Sequence, residues 1–195
     1  ELVDDAWTNL TALPVDVEYD IVPISNDGCR GDTFTVLLTV NPEPILSTSL
    51  DGEACSDEPI GLVLDTEPGS TVASTYILVS VAPDAMLTAD AGNATPGTGF
   101  AANGLAGDIY MNTTLVSHDV VYTLAPVSIE GCIGDTQTVT ITIRPRPAIQ
   151  TLPGNVCLPG NGQVDLTTLV TDYRLLTSRF DFYDADPATG STRIG

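Results

Sequence analysis

Residues 17–44, VEYDIVPISNDGCRGDTFTVLLTVNPEP, decide how the chain folds, because residues 120–147, VVYTLAPVSIEGCIGDTQTVTITIRPRP, repeat them. The two stretches align without a gap at a constant offset of 103 residues. The shared positions are Tyr19 and Tyr122, Pro23 and Pro126, Cys29 and Cys132, Gly31-Asp32-Thr33 and Gly134-Asp135-Thr136, Pro42 and Pro145, and Pro44 and Pro147. A period this long indicates a repeat of whole domains rather than a solenoid unit of about 20 to 50 residues.

Each copy of the repeat predicts a β-hairpin. In the first copy, residues 17–24 alternate imperfectly between apolar and polar side chains, and residues 33–40 alternate Thr with Phe, Val and Leu. This period of two is typical of strands with one buried face. Between them, Ser25-Asn26-Asp27-Gly28 is a cluster of turn-forming residues.

A Pro-x-Pro segment follows each hairpin and predicts a domain joint. Each proline lacks a backbone donor and restricts the residue before it, so the segment cannot pair as a central strand and instead forms a short, stiff linker. The joint residues are Pro42 and Pro44 after the first hairpin, and Pro145 and Pro147 after the second.

These joints divide the chain into three predicted units. The predicted units are the C-terminal part of one repeat (1–44), a complete repeat (45–147) and the N-terminal part of a further domain (148–195). The third begins with LPGNVC at 152–157, which echoes LDGEAC at 50–55. Because no signal peptide is visible at Glu1, we expect the chain to be part of a longer one.

The complete unit predicts an all-β fold. Residues 45–50, 60–65 and 72–81 are strand-like, 83–107 predict weak strands with long loops, and the second hairpin closes the unit. About seven short strands separated by turns are typical of an antiparallel sandwich of immunoglobulin-like (Ig-like) type. The prediction is therefore tandem Ig-like β-sandwiches.

The charge excludes several classes of partner. The chain has 26 acidic residues against six basic ones, all of them Arg, and a net charge of -20. So acidic a surface repels nucleic-acid backbones and anionic lipid, and it favours solubility instead. We expect no nucleic-acid partner.

Four cysteines, Cys29, Cys55, Cys132 and Cys157, are spread singly through the chain and predict disulfides in an oxidising, extracellular setting. Four cysteines allow three pairings. We favour Cys55 with Cys132 inside the complete unit, leaving Cys29 and Cys157 to partners outside the chain. The alternative joins Cys29 to Cys55 and Cys132 to Cys157 across the boundaries.

No catalytic or metal site is predicted. His118 stands beside Asp119 without an identifiable nucleophile and is interpreted as a solvated loop residue. Asp184 and Asp186 lack the further acidic ligands of a calcium loop, so a turn is favoured, with structural calcium between domains kept as an alternative. No cofactor is expected, and the chain is predicted not to be an enzyme.

Five further residues recur or lie in a modification pattern. Asn9, Asn93 and Asn112 lie in Asn-x-Thr sequons but are interpreted as ordinary strand or loop residues. Trp7 and Tyr110 share one repeat position, which predicts core or edge packing rather than sugar stacking.

The motif Tyr-x-x-x-Pro-x-Ser-x-x-Gly-Cys-x-Gly-Asp-Thr, followed by Thr-Val and Pro-x-Pro, spans 19–44 and, with Ile in place of Val before the prolines, 122–147. It resembles the PKD-like repeat of very large cell-surface adhesins of the Bacteroidota, including gliding-motility adhesins. The resemblance implies tandem Ig-like domains, export by a type IX secretion system and no catalytic residues.

The function expected from the resemblance is structural and adhesive. The chain would be a repeat segment of a secreted bacterial adhesin or filament at the cell surface, acting as a stiff stalk. Its partners would be neighbouring Ig-like domains, glycans or surfaces, and the outer-membrane export or anchoring machinery. The alternative is an accessory polysaccharide-binding or spacer module of a secreted enzyme.

Overall fold

The computed structural model describes residues 4–9, 11–147 and 192–193. Nine strands form in this part of the chain: β1 (Val15–Ile21), β2 (Phe34–Val40), β3 (Gly52–Cys55), β4 (Ala73–Pro83), β5 (Leu87–Ala89), β6 (Gly97–Phe100), β7 (Tyr110–Asn112), β8 (His118–Ser128) and β9 (Gln137–Arg144). The predicted third unit, with Cys157, Asp184 and Asp186, lies outside the described residues except for 192–193.

The strands form three sheets. A five-stranded sheet has the order β3-β9-β8-β4-β6, while β1 pairs with β2 and β5 pairs with β7. All pairs are antiparallel except β3 with β9, which run parallel. The all-β, Ig-like sandwich predicted from the sequence is confirmed.

The core lies between the five-stranded sheet and a second layer built from β5, β7 and extended segments. Alternate residues of β8 and β9 point into it, as the period of two requires. The fully buried side chains include Leu46, Leu78, Leu105, Tyr110, Val120, Tyr122, Leu124, Val139, Ile141 and Ile143. Residues 45–147 thus contain one continuous apolar cluster.

Two strand predictions differ from the structure. Residues 60–65 bury Ile60, Leu62 and Leu64 alternately, as a strand would, but they form no ladder. Residues 45–50 pair only at Leu46, with Thr66. Conversely, residues 52–55, which lie between two predicted strands, form β3, because the free edge of β9 offers them backbone partners.

The first hairpin is a separate two-stranded sheet. Its register repeats that of β8 and β9: Tyr19 lies opposite Val36, as Tyr122 lies opposite Val139. Unlike β8 and β9, β1 and β2 have no other strand beside them among the described residues. The predicted hairpin is confirmed, whereas the division of the chain into three domains stays a prediction.

Candidate functional site

The best-defined site in the described part of the chain is the joint between the first hairpin and the following sandwich. Pro42 and Pro44 are buried while Glu43 between them is exposed. The Ile45 amide donates to Ser70 Oγ over 2.8 Å, and the Ile45 carbonyl accepts from the Glu67 amide over 2.8 Å. The linker is therefore seated on the sandwich rather than held free in solvent.

The tip of the β8–β9 hairpin forms the other wall of the joint. A Cβ added to Gly134 would lie 1.9 Å from the carbonyl oxygen of Pro44, so no side chain fits there. The Gly134 amide donates to the Pro126 carbonyl over 2.9 Å, which holds the tip in place. The glycine of the Gly-Asp-Thr motif thus lets the preceding linker approach the hairpin backbone.

The first hairpin has the same tip, bond for bond. The Gly31 amide donates to the Pro23 carbonyl over 2.9 Å, and Ser25 and Cys29 make the bonds that Ser128 and Cys132 make in the second copy. A Cβ on Gly31 would meet only Pro23, 2.9 Å from its Cγ. The turn therefore needs glycine in both copies. In the second copy the glycine also leaves room for the carbonyl group of the preceding linker.

A cleft of about 430 Å³ lies at the joint. Its walls come from both sides: Thr8, Asn9, Thr11, Ala12, Glu43, Pro44, Ile45, Glu67, Pro68, Gly69, Ser70, Asp135 and Gln137. Thr71 Oγ1 reaches across to the Ala12 carbonyl at 3.5 Å. The Glu67 carboxylate accepts from the Thr48 amide and hydroxyl over 2.6 and 2.7 Å, and these bonds lower its pKa.

At the second predicted joint the prolines are more open. Pro145 is half-buried and Pro147 is exposed. Arg144 is ion-paired with Glu53, and Arg146 Nη1 lies 3.4 Å from Asp57 Oδ2. Both pairs are on the surface, where such contacts add little stability. The residues that would follow this joint lie outside the described part of the chain.

In each copy an asparagine side chain bonds the end of the hairpin that lies next to the following joint. Asn112 Nδ2 donates to the carbonyls of Val116 and Ile143 over 2.8 and 2.9 Å, and its Oδ1 accepts from the Thr114 amide and hydroxyl. Asn9 makes the equivalent bonds to Leu13, Val40 and Thr11. Asn112 is 1% exposed, so its amide is a structural clamp rather than a free glycosylation acceptor.

A second repeated network joins a tyrosine to an aspartate and an aromatic residue. Tyr122 Oη donates to Asp108 Oδ2 over 2.9 Å and lies 3.0 Å from Tyr110 Oη. All three residues are buried, and burial, together with the Tyr110 hydroxyl and the Asp108 charge, raises the pKa of Tyr122 far above its ordinary value. In the first copy Tyr19, Asp5 and Trp7 form the same network. The packing role predicted for Trp7 and Tyr110 agrees with these contacts.

We expect Tyr122→Phe to lower the free energy of unfolding of the sandwich by about 2 kcal/mol, because Asp108 loses a donor to its charged oxygen. The wild type should also lose stability above about pH 10: the tyrosine ionises in the unfolded chain, while its raised pKa keeps it neutral in the folded one. The phenylalanine variant should lose less over that range in urea titrations.

Tyr19→Phe is the matched control, since it changes the same repeat position outside the main core. It should leave the unfolding of the sandwich nearly unchanged. Equal alkaline slopes for the wild type and Tyr122→Phe would contradict the role assigned to the buried hydroxyl.

The structure does not bring Cys55 and Cys132 together. Cys29, Cys55 and Cys132 are free thiols. Cys55 lies opposite Arg144 at one end of β9, whereas Cys132 lies in the tip before its other end. The eight residues of β9 span about 25 Å, and a disulfide requires Cα atoms within about 7 Å. The structure therefore does not support the favoured pairing.

His118 is not the solvated loop residue that the sequence predicted. It begins β8, its side chain is 15% exposed, and its Nδ1 lies 3.1 Å from Asp84 Oδ2. Its Nε2 lies 3.1 Å from Thr114 Oγ1, which belongs to the Asn112 clamp. The Met86 amide and then His118 lower the pKa of Asp84. Both ring nitrogens are thus engaged in structural contacts.

The described residues contain neither a metal-binding cluster nor a membrane-spanning helix. No group of three or more His, Cys, Asp or Glu side chains there is arranged to hold a metal ion. Within the same residues no helix has the length and apolar character needed to cross a membrane.

The comparisons with known proteins agree with the repeat. A family model described as the PKD-like domain matches residues 1–44 and 85–147, which is more than half of the chain. No curated protein matches the chain. Domains of this family are typically extracellular, non-catalytic Ig-like modules. Both matched stretches end at a Pro-x-Pro joint. The chain belongs to the PKD-like domain family.

Proposed function

We propose that the chain is a stalk segment of a secreted bacterial cell-surface adhesin or filament. Its units would be the end of one PKD-like domain (1–44), a complete PKD-like domain (45–147) and the beginning of a further Ig-like domain (148–195). Family membership and the repeated hairpin support an array of such domains. The role of each unit would be mechanical, to carry the next at a fixed angle.

The seated linker is the observation that carries this proposal. Two prolines fix the backbone of the linker, and both are buried. Gly134 admits the Pro44 carbonyl, and Ser70 and Glu67 bond the next residue on both its backbone groups. A flexible tether would need none of these contacts, whereas a rigid joint needs all of them.

The particular adhesin class is a finer proposal. The hairpin motif resembles repeats of gliding-motility adhesins of the Bacteroidota, so we place the chain outside the cell, exported by type IX secretion. Its immediate partners would be neighbouring Ig-like domains and the outer-membrane export or anchoring machinery. Glycans or other surfaces would be bound elsewhere in the same protein. A net charge of -20 suits such an exposed, non-aggregating position.

Distance measurements between two spin labels test the stiffness of the joint. Labels would replace Glu18 on the first hairpin and Met86 on the sandwich, both exposed, in a chain whose cysteines are changed to serine. We expect a narrow distance distribution that broadens in the double variant Pro42→Gly, Pro44→Gly. Glycines free the backbone that the prolines restrict.

The double variant Pro145→Gly, Pro147→Gly has the same composition and is the matched control. It lies after the sandwich and should leave the distribution narrow. A broad distribution in the wild-type protein would refute the stiff stalk. Binding of the chain to an immobilised polysaccharide would favour an accessory carbohydrate-binding module instead.

A further inference from the structure

The five-stranded sheet of the sandwich has a second face, which is turned away from the core. On β4, β8 and β9 the residues of this face alternate with core residues such as Leu78, Tyr122 and Ile141, so the pleat of each strand directs them outward. We call this surface the outer face. Its residues are Ile77, Val121, Thr123, Thr138, Thr140 and Thr142. They are apolar or carry a single hydroxyl group, and they form a surface of β-branched side chains.

The outer face is nearly uncharged in a very acidic chain. Of the residues in the three described strands β4, β8 and β9, only Asp119 and Arg144 are charged. Both lie at the end of the sheet next to the second joint, where Asp119 is opposite Thr142. The chain as a whole has a net charge of -20. Electrostatic repulsion between two copies is therefore weak where their outer faces meet.

The first copy of the repeat carries carboxylates at the same positions. Glu18 and Asp20 stand where the sandwich has Val121 and Thr123. Asp20 Oδ1 accepts a hydrogen bond from Thr35 Oγ1 over 2.7 Å, so an acidic side chain fits this position of the hairpin. The uncharged face is thus a property of the sequence of this sandwich and is not required by its fold.

We propose that the outer faces of two copies pack against each other, so that two chains lie side by side. The proposal rests on the stalk function proposed above. The face lies along the flank of the sandwich, between the hairpin tip at the first joint and the end of β9 at the second. Neighbouring domains along the stalk therefore leave it accessible.

Two such faces can pack like the two sheets of a β-sandwich. Aligned sheets pack about 10 Å apart with their side chains interdigitating, and β-branched residues suit this arrangement. Each copy contributes the same surface, so the contact is isologous and closes as a dimer rather than growing into a fibre.

The area of the outer face determines how strong the pairing is. Three strands about 4.8 Å apart and about 30 Å long present about 400 Å². A pair would bury about 800 Å², which is less than the roughly 1,200 to 2,000 Å² of stable protein complexes. We therefore expect a Kd on the order of 0.1 to 1 mM for one pair of chains. Stalks that contain several such units would gain avidity.

Sedimentation equilibrium of the full chain tests the pairing, with a thiol reductant present because the described cysteines are free. Between about 0.05 and 1 mM the average mass should rise from 20.4 kDa towards twice that value and not beyond it. Raising the NaCl concentration from about 20 mM to about 0.5 M should strengthen the association at least about threefold, because salt screens the repulsion between two acidic chains.

The double variant Val121→Glu, Thr123→Asp gives the outer face the acidic residues of the first hairpin. It should weaken the pairing at least about tenfold, because like charges then oppose each other. Thr140→Glu, a single change on β9, should act in the same direction and provides a second variant. Urea unfolding verifies that each variant folds.

Val63→Glu, Thr88→Asp is the matched control. It adds the same two charges at exposed positions, each next to a buried leucine of the second layer. Its pairing should be close to that of the wild type.

Several results would overturn the proposal. A wild-type chain that stays monomeric at 1 mM in 0.5 M NaCl would do so, as would equal pairing by the double variant and its matched control. A monomeric chain whose outer face binds a polysaccharide or another protein instead would also overturn it. The spin-label measurement of the joint, made at micromolar concentration, is independent. A narrow distribution in a chain that never pairs would leave the stiff stalk standing while the side-by-side pairing fails.

Discussion

Replacing Gly134 with alanine is expected to open the joint and to destabilise the sandwich by about 3 kcal/mol. The new Cβ would lie 1.9 Å from the Pro44 carbonyl oxygen, far inside van der Waals contact. The linker cannot retreat easily, since Ile45 is bonded on both sides and Leu46 is fully buried. Urea unfolding measures the loss of stability, and the spin-label distribution across the joint should broaden.

Two other glycines make this result interpretable. Gly107 has open space around it and no positive φ, so Gly107→Ala should change the free energy of unfolding by less than about 0.5 kcal/mol. Gly31→Ala crowds only the ring of Pro23, and it should leave the joint distribution narrow. If Gly134→Ala behaves like Gly107→Ala, the linker is not seated on the hairpin tip.

Asn112→Ala is expected to cost about 3 kcal/mol of unfolding free energy, because it strips the donor from two carbonyl groups, one buried and one part-buried. Those carbonyls belong to Val116 and Ile143, and the same side chain also accepts two bonds from Thr114. Asn112→Asp keeps acceptors for Thr114 but sets a carboxylate against the two carbonyls, so it should be at least as damaging. Thermal and urea unfolding measure both variants.

Asn9→Ala is the matched control for the clamp. It removes equivalent bonds in the first hairpin, whose face is open, and should affect the sandwich little. An Asn112→Ala protein as stable as the wild type would show that the clamp is dispensable. Because the amide is buried and bonded, enzymatic glycosylation should find Asn112 only in the unfolded chain.

The sequence predicted the elements whose signal is local. Alternation of Thr with apolar residues indicated β2 and β9, and the second copy showed that the hairpin closes a domain. The sequence did not predict a strand at residues 52–55, because Gly52 and Glu53 favour a turn locally. Pairing with the free edge of β9 makes these residues a strand. Pairing with a strand that is distant in the sequence cannot be recognised from a short stretch of residues.

The joint itself was only half predictable. Pro-x-Pro located the linker, but the contact between Gly134 and Pro44 joins residues 90 positions apart and has no local signal. The repeat of Gly31 and Gly134 was visible, yet a turn alone explained it. The favoured cysteine pairing is not supported by the structure, since spacing along the chain did not reveal that Cys55 and Cys132 lie at opposite ends of β9.

The parallel pairing of β3 with β9 determines how a complete unit would respond to tension. The chain enters the unit near β3 and leaves it from β9, and these two strands are neighbours that run in the same direction. Pulling the two ends apart drives the strands past each other in shear. The four paired positions of β3 and β9 then bear the load together, rather than separating one after another. The unit would therefore yield only at high force.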